Sequence, residues 1–318
     1  MRLELFQGGK CPPFLLISML AAAAMLLGTA WMGDDAFITM RVIDNFVNGY
    51  GLRYNVAERV QAFTHPLWLM VITPFYALTR EPLLTPMLIS IALSLGAFWL
   101  LIGRISRQFE YGCLLVLAAV ASRAISQFST SGLESPLTFV LLALFVLQLY
   151  RPERTWVAAG IVGLLLLNRL DLAVLVGPVA AYLLFRARGW ERGKIVMAAT
   201  FPVLAWMIFA LIYYGAPFPN TAYAKLGTGF DNSMLILRGL DYVRDFLFND
   251  PLLALIIGMS VVVALRSRDW ITALLGVGIA LYVIYTIVIG GDFMSGRFFA
   301  APGFLALCIL ARDTAPQC

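Results

Sequence analysis

The sequence predicts an all-α, polytopic integral membrane protein, and its composition and apolar runs support this fold class. Apolar residues make up 61% of the 318 residues and charged residues only 13%, whereas a soluble domain is about half apolar and about a quarter charged. The apolar runs are continuous and lack the alternating polarity of a membrane β-barrel. At about 20 residues per crossing, a chain of this length holds about ten transmembrane helices. The composition also excludes disordered, collagen-like and disulfide-rich secreted proteins.

Ten apolar segments end at polar residues and define the predicted helices. They cover residues 12–31, 83–103, 110–124, 133–150, 155–168, 172–186, 195–214, 251–265, 271–290 and 299–311. A further apolar stretch, 66–79, is only 14 residues long and contains Pro66 and Pro74. Because it is too short to cross a bilayer, we interpret it as an interfacial or re-entrant segment.

The distribution of charge orients these helices. With ten spans and the N-terminus inside, the inner segments carry a net charge of +7 and the outer segments −2, which together give the +5 of the chain. Counting 66–79 as a span would move a strongly basic inner loop, 186–194, to the outside, against the positive-inside rule. The sequence therefore predicts a multi-pass protein with both termini inside.

We interpret the chain as a single membrane domain, 1–318, without internal repeats and with two long outer loops, 32–82 and 215–250. The first apolar run follows Arg2 and Lys10, as a signal peptide would. It has no convincing cleavage site followed by a soluble domain, so we predict a helix that is retained.

The scarcity of histidine and of paired cysteines argues against several enzyme classes. The four cysteines form no CxxC pair and indicate neither a disulfide framework nor a zinc site. His65 is the only histidine, so we expect it to be structural or to contact a ligand rather than to serve a hydrolytic triad. We predict no metal, and leave a divalent cation open, because no spacing dictates a site among the carboxylates Asp34, Asp35, Glu58, Glu134 and Asp292.

Two adjacent acids open the first outer loop. After Asp34 and Asp35, apolar residues recur at helical spacing up to the stop at Gly49-Tyr50-Gly51. This pattern predicts an amphipathic helix on the outer leaflet, with both acids at the end where the helix dipole favours carboxylates. A helix N-cap is the alternative role for the pair. Adjacent helical residues point about 100° apart, so we expect only one acid to face a substrate.

Other polar and aromatic residues gather in the outer loops, and ionisable groups placed this close to a membrane are typical of a functional site. The substrate-binding candidates in the first loop are Arg41, Tyr54, Glu58, Arg59 and His65. Those in later loops are Glu134, Asn220, Tyr223 and Asp292, with Lys225 and Arg297 as candidate phosphate ligands. The short connection Asn168-Arg169-Leu170-Asp171 predicts a pair between Arg169 and Asp171 near the hydrocarbon edge.

Each of these residues has a structural alternative, such as snorkelling for Lys225 and Arg297 and helix capping for Asp292. Taken together on one side of the membrane, they predict a cavity lined by acids, cations and aromatic rings. Aromatic faces and carboxylates suit a sugar, whereas Lys225 and Arg297 suit a phosphate held at the bilayer. A carboxylate of Asp34 or Asp35 can then remove the proton from an acceptor hydroxyl.

Several short blocks occur in a fixed order between residues 33 and 298. They are Asp34-Asp35-Ala36-Phe37-Ile38, Arg41 with Asn45, Gly49-Tyr50-Gly51-Leu52, Tyr54-Asn55, Glu58-Arg59-Val60-Gln61, Thr64 with Pro66-Leu67-Trp68, Ser131-Gly132-Leu133-Glu134, Pro217 with Pro219-Asn220-Thr221 and Tyr223-Ala224-Lys225, and Gly290-Gly291-Asp292-Phe293-Met294 with Gly296-Arg297. In this order they resemble one branch of the GT-C glycosyltransferase superfamily, the bacterial arabinofuranosyltransferases of cell walls and type IV pilins.

The resemblance implies a many-helix enzyme of the bacterial cytoplasmic membrane with its active site on the outer, periplasmic side. The donor would be a sugar carried on a polyprenyl phosphate, here arabinofuranose, and the acceptor a pilin or a cell-envelope glycan. An acid of the first outer loop would act as general base, which matches Asp34 or Asp35 by position. We expect inversion at the sugar carbon, since no second carboxylate is placed as a nucleophile, and no role for nucleic acid.

The chain departs from the family pattern at two places, and two other functions fit a membrane protein of this kind. Residues 168–171 stand where many relatives have Arg-Pro-Glu or Arg-Pro-Asp, and the chain stops at Cys318 where many continue, which suggests a short form or a truncated product. The main rival is a transporter or flippase for a glycolipid precursor, but such proteins place ionisable groups within their spans. A non-catalytic membrane scaffold would not need so charged and aromatic a first outer loop.

Overall fold

The computed structural model describes residues 13–221, 223 and 231–313, and this part of the chain folds into helices without any strand. The helices are α1 Pro13–Gly28, α2 Asp34–Val47, α3 Pro66–Thr79, α4 Leu84–Leu100, α5 Phe109–Ala121, α6 Arg123–Phe128, α7 Ser135–Leu149, α8 Thr155–Asn168, α9 Leu172–Arg186, α10 Trp190–Tyr214, α11 Asn232–Asn249, α12 Pro251–Arg266, α13 Trp270–Val288 and α14 Arg297–Asp313. A π-helical turn, Leu101–Ile105, extends α4, and a 3₁₀ turn, Pro152–Arg154, precedes α8. The predicted all-α class is confirmed for these residues.

The helices support a membrane protein but not the predicted number of spans. Among the described residues, α4 with its π-helical turn, α10 and α13 are each long and apolar enough to cross a bilayer. The pair α11 and α12, which meets at a bend of 108°, is a fourth candidate. The remaining apolar helices α1, α3, α5, α7, α8 and α9 have 10–17 residues. The count of about ten spans therefore stays a prediction.

Helix α14 forms the centre of the bundle. Every residue from Phe298 to Ala311 is buried, as expected for a helix that is apolar on all sides. Phe304 stacks on Phe139 of α7 with 5.0 Å between ring centroids, and Phe299 stacks on Phe246 of α11 at 4.1 Å. Because α14 runs through the core, its first residue, Arg297, and its last residue, Asp313, lie at opposite ends of the bundle.

The amphipathic helix predicted after the acid pair is present as α2. It buries Ala36, Met40 and Ile43, whereas two of its other apolar residues, Phe37 and Phe46, are half exposed. Helix α3 occupies the short stretch 66–79 and begins next to α7, where the indole N–H of Trp68 donates to the Gly132 carbonyl at 2.9 Å.

Sequence analysis missed α11, which lies within the predicted outer loop 215–250. This helix buries Gly239, Tyr242 and Phe246 at spacings of three and four residues, while its polar residues weakened the apolar signal. Gly239 allows the close approach to α13, because a Cβ there would lie 2.0 Å from the Ile287 carbonyl oxygen.

Candidate active site

Six separated chain segments bring ionisable side chains together at one end of the bundle. We call this group the Glu134 cluster, and it consists of Asp35, His65, Glu134, Arg169, Asp171, Tyr282, Asp292 and Arg297. Most of its members lie at helix ends: Asp35 is the second residue of α2, His65 precedes α3 and Glu134 precedes α7. Helix termini leave backbone groups unpaired and place side chains at the edge of a bundle, so convergence there forms a polar site.

Glu134 lies at the centre of the cluster and is only 1% exposed. Its Oε1 is 3.7 Å from Nη1 of Arg169 and 3.6 Å from Nη2 of Arg297, and its Oε2 is 3.4 Å from Nδ1 of His65. The side-chain amide of Asn168 donates to the Glu134 backbone carbonyl at 3.1 Å. A buried carboxylate needs compensating charge, and here two guanidinium groups provide it.

Arg297 connects Glu134 to two further acids. Its Nη1 is 3.3 Å from Oδ2 of Asp35 and 3.3 Å from Oδ2 of Asp292. The side chain of Asp35 is 33% exposed, whereas that of Glu134 is 2% exposed. Asp35 is therefore the acid of the cluster that a ligand can reach from solvent.

Arg169 forms the second arm of the cluster and confirms the predicted pair with Asp171. Its Nε lies 3.1 Å from Oδ1 of Asp171 and its Nη2 2.5 Å from Oδ2, a two-point contact. The hydroxyl of Tyr282 on α13 accepts from Arg169 Nη2 at 2.9 Å and donates to Asp171. The guanidinium also lies over the ring of Phe298, 5.4 Å from its centroid.

The surroundings shift the pKa values of two members of the cluster. Burial raises the pKa of Glu134, but the positive charges of Arg297 and Arg169, and of His65 when it is protonated, outweigh burial and lower this pKa to about 2. Burial lowers the pKa of His65 in spite of the nearby Glu134 carboxylate. Glu134 is therefore ionised at neutral pH and His65 is neutral, with Nε2 hydrogen-bonded to the Thr39 hydroxyl at 2.7 Å.

The two adjacent acids of α2 have different environments. Asp34 is exposed and its Oδ1 accepts from the backbone N–H of Asp35 at 2.9 Å. Gly33 occupies the N-cap position and no side chain caps the helix. The alternative role of the pair as a side-chain cap is therefore wrong, and only Asp35 joins the cluster.

Four predicted binding residues of the first loop lie apart from the cluster. The Arg41 guanidinium donates to the Tyr54 carbonyl at 3.1 Å and lies 4.8 Å above the Tyr54 ring centroid. Glu58 accepts a hydrogen bond from Asn55 at 2.5 Å, and Arg59 lies over the ring of Tyr213 on α10 at 5.3 Å. Within the described residues, none of these four forms a hydrogen bond or an ion pair with the cluster.

Asn220 and Tyr223 lie in the segment that follows α10. The backbone N–H of Asn220 donates to the Gln61 carbonyl at 3.1 Å, which joins this segment to the first loop. Tyr223 is 44% exposed and contacts Phe218 edge-on, with 6.4 Å between ring centroids. Lys225, a predicted phosphate ligand, lies outside the described residues.

Thr39 and Tyr282 are members of this polar network that sequence analysis did not select. Tyr282 lies within an apolar helix, where a buried hydroxyl needs a partner. A tyrosine in such a helix was the sequence feature that could have identified it. Its partner, Asp171, is 111 residues away in the chain, so the sequence alone could not supply it. The described residues contain no group of three or more His, Cys, Asp or Glu side chains placed to hold a metal ion.

Two curated proteins are similar to this chain. Each carries the name terminal beta-(1->2)-arabinofuranosyltransferase. The one from Mycobacterium tuberculosis is 28% identical over 91% of this chain and 54% of its own length. The one from Corynebacterium glutamicum is 28% identical over 87% of this chain and 47% of its own length. The chain thus spans about half the length of the curated relatives it matches.

No family model matches the chain, and no solved structure matches it. The two curated relatives nevertheless confirm the resemblance to the bacterial arabinofuranosyltransferase branch, over nearly the whole of this chain.

Proposed function

We propose that this protein is a membrane glycosyltransferase that moves an arabinofuranosyl group from a polyprenyl-phosphate donor to an acceptor hydroxyl. The observation that carries the proposal is the environment of Asp35, a partly exposed acid held by Arg297 at the edge of a buried ionic cluster. The names of the two curated relatives support arabinofuranose as the sugar.

In the proposed reaction, Asp35 is the general base. The acceptor oxygen forms a bond to the anomeric carbon while the bond from that carbon to the donor phosphate breaks. The acceptor proton passes to the Asp35 carboxylate, and the polyprenyl phosphate leaves with the electron pair of the broken bond. A single displacement of this kind inverts the configuration at the anomeric carbon.

Arg297 has two proposed tasks. It orients the Asp35 carboxylate, and its guanidinium, 15% exposed, stabilises negative charge that develops on the departing phosphate. Three carboxylates already surround Arg297, so a second cation is needed at the phosphate. We propose Lys225 for that task.

The acceptor is proposed to be a cell-envelope glycan or a pilin-type protein, reached from the aqueous side. The proposed topology has ten spans and both termini in the cytoplasm of a bacterial cell, which places the Glu134 cluster at the periplasmic face of the cytoplasmic membrane. Five of the short helices, α1, α5, α7, α8 and α9, lie at predicted spans, and tilt, local bilayer thinning or flanking polar residues can accommodate spans shorter than 20 residues.

The decisive experiment compares Asp35→Asn with Asp34→Asn, which is a matched neighbouring variant. Protein purified in detergent is mixed with a synthetic polyprenyl-phosphoryl arabinofuranose and an arabinan acceptor, and acceptor-dependent release of polyprenyl phosphate is measured. We expect Asp35→Asn to reduce kcat by about 10²–10⁴-fold, the usual contribution of a general base, and Asp34→Asn to change it only a few-fold.

Two results would count against this proposal. Full activity of Asp35→Asn would show that Asp35 is not the base. Failure of wild-type protein to turn over any donor in a panel of arabinofuranose, mannose and glucose, while it remains folded and binds polyprenyl phosphate, would favour a binding or transport function.

A further inference from the structure

A small cavity adjoins the Glu134 cluster and takes no part in the chemistry proposed above. It lies between the first loop, the end of α8, the last part of α10 and the turn after α10, and its volume is about 30 Å³, which is room for one or two water molecules. Thr64 directly precedes His65 of the cluster, and Leu170 directly follows Arg169. The residues that define its walls include Gln61, Thr64, Leu170, Trp206, Phe218 and Pro219.

Two buried polar atoms in the walls of this cavity lack partners. Gln61 is 3% exposed and Trp206 is 9% exposed. Within the described residues, neither Oε1 of Gln61 nor the indole N–H of Trp206 has a hydrogen-bond partner. Buried polar groups are satisfied in the great majority of cases, so one unpaired acceptor and one unpaired donor among the residues that line one cavity indicate a missing polar group.

The surrounding contacts fix both side chains. The amide Nε2 of Gln61 donates to the Phe63 carbonyl at 3.2 Å, and the Gln61 backbone carbonyl accepts from Asn220. The Trp206 ring packs between Phe63 at 5.9 Å and Phe209 at 5.1 Å. The two unpaired atoms are therefore held in place before any ligand arrives.

The chemistry of the cavity selects a neutral hydroxyl group. All of its walls are uncharged, which disfavours a phosphate or a carboxylate. A hydroxyl has both capacities that these atoms lack, since its O–H can donate to an oxygen such as Gln61 Oε1 and its oxygen can accept from an N–H such as that of Trp206. Aromatic walls suit the C–H surface beside it. A volume of this size admits one hydroxymethyl arm and not a whole sugar ring.

We propose that this cavity is a recognition pocket for a hydroxymethyl group of a neutral sugar in the acceptor glycan. The assignment to the acceptor rests on the proposed function, because the donor phosphate needs cations and the walls of this cavity carry none. A sugar anchored here lies on the His65 and Arg169 side of the cluster. The pocket selects acceptors that retain the primary hydroxyl.

The test compares two small probes, methyl α-arabinofuranoside and its 5-deoxy analogue, by saturation-transfer NMR with the full-length protein in detergent. Wild-type protein is expected to bind the arabinoside at least 10-fold more tightly, because the analogue leaves both buried polar atoms unpaired. Trp206→Phe and Gln61→Leu each remove one of these atoms and are expected to reduce the preference to about 2-fold or less. Trp190→Phe, at a residue that is 80% exposed, serves as the matched control and is expected to keep it.

The outcomes separate this inference from the proposed function, because binding needs no turnover. Preference for the hydroxyl that Trp206→Phe and Gln61→Leu abolish supports the pocket even if no sugar transfer occurs. If the protein transfers sugar but neither variant changes its preference for the arabinoside over the 5-deoxy analogue, the recognition pocket is contradicted and the proposed function is not. The cavity then holds only water. Absence of any arabinoside binding by wild-type protein also overturns it. Two variants at different walls keep the test valid if one of them fails to fold.

Discussion

The charged residues at the two ends of α14 have different surroundings. At its first residue, Arg297 contacts Asp35, Glu134 and Asp292, and its side chain is 15% exposed. At its last residue, Asp313 lies 3.9 Å from Arg107, and the side chains of Asp313 and Arg107 are 15% and 43% exposed. One helix thus begins in a buried network of charges and ends at a single long ion pair whose arginine is exposed to solvent.

Burial of charge at the start of α14 carries a desolvation cost that the pair at its end carries to a smaller degree. Removal of two charges from water costs several kcal/mol per ion, and only close partners offset this cost. An exposed pair needs no such compensation and contributes about 0–1 kcal/mol. Stability alone does not require the buried network, so its presence at one end of α14 argues for a functional task at that end.

Among the variants that test this contrast between the two ends of α14, Glu134→Gln is expected to lower stability most. The variant keeps the shape of the side chain but removes the negative charge between Arg169 and Arg297, which leaves two buried cations with too little compensation. We expect a loss of about 3–5 kcal/mol of stability, measured by denaturant unfolding in detergent. The exposed Glu153 offers a matched control, since Glu153→Gln should change stability by less than about 0.5 kcal/mol. Equal effects of the two variants would contradict a structural role for the cluster.

The next effect is expected from Tyr282→Phe, which removes one hydroxyl from the Arg169–Asp171 arm. That hydroxyl bonds to both charged groups, and hydrogen bonds to charged groups contribute about 1.5–3 kcal/mol. Unfolding measurements should show a loss within this range. Tyr285→Phe, on the same helix, is the natural comparison, and an equal loss there would point to a general effect of hydroxyl removal.

A smaller effect is expected when the pH falls from 7.5 to 5.5. The lowered pKa of His65 means that the folded state resists protonation, so stability falls as the pH drops below the ordinary value of about 6.5, by at most about 1.4 kcal/mol per pH unit. The charged groups that act on His65 are Glu134, Arg297, Arg169 and Asp35. The Glu134 carboxylate, with its pKa of about 2, stays ionised throughout and loses its contribution only as the pH falls from about 4.5 through 2.

Thermal unfolding at both pH values measures this effect. Since His65 is the only histidine, the decline should shrink in His65→Asn. A decline of the same size in that variant would assign the pH dependence to another group.

The smallest effect is expected at the opposite end of α14. Asp313→Asn removes one long ion pair, at 3.9 Å, with an Arg107 side chain that is 43% exposed, and we expect a change of at most about 1 kcal/mol that high salt suppresses further. A loss comparable to that of Glu134→Gln would remove the contrast between the two ends.

Much of the local architecture could be predicted from the sequence. Predicted segments such as 155–168 and 172–186 coincide with α8 and α9, and 66–79 with α3, because apolar runs bounded by polar residues report helix formation directly. The acids at the start of α2 and the pair of Arg169 with Asp171 were also predicted, since both depend on neighbouring residues. Helix α11 was missed because charged residues, Arg238, Asp241, Arg244 and Asp245, interrupt its apolar residues.

The sequence by itself determined the all-α class, the approximate bounds of most of the long apolar helices and the residue types available for chemistry. Only the tertiary structure decided which of these residues meet: it joined Asp35 to Arg297 across 262 positions, left Asp34 at the surface and placed Arg41 and Glu58 elsewhere. Helix formation depends on hydrogen bonds between residues four apart, which a local pattern records. Convergence of loop residues depends on how the helices pack, and no local pattern contains that information.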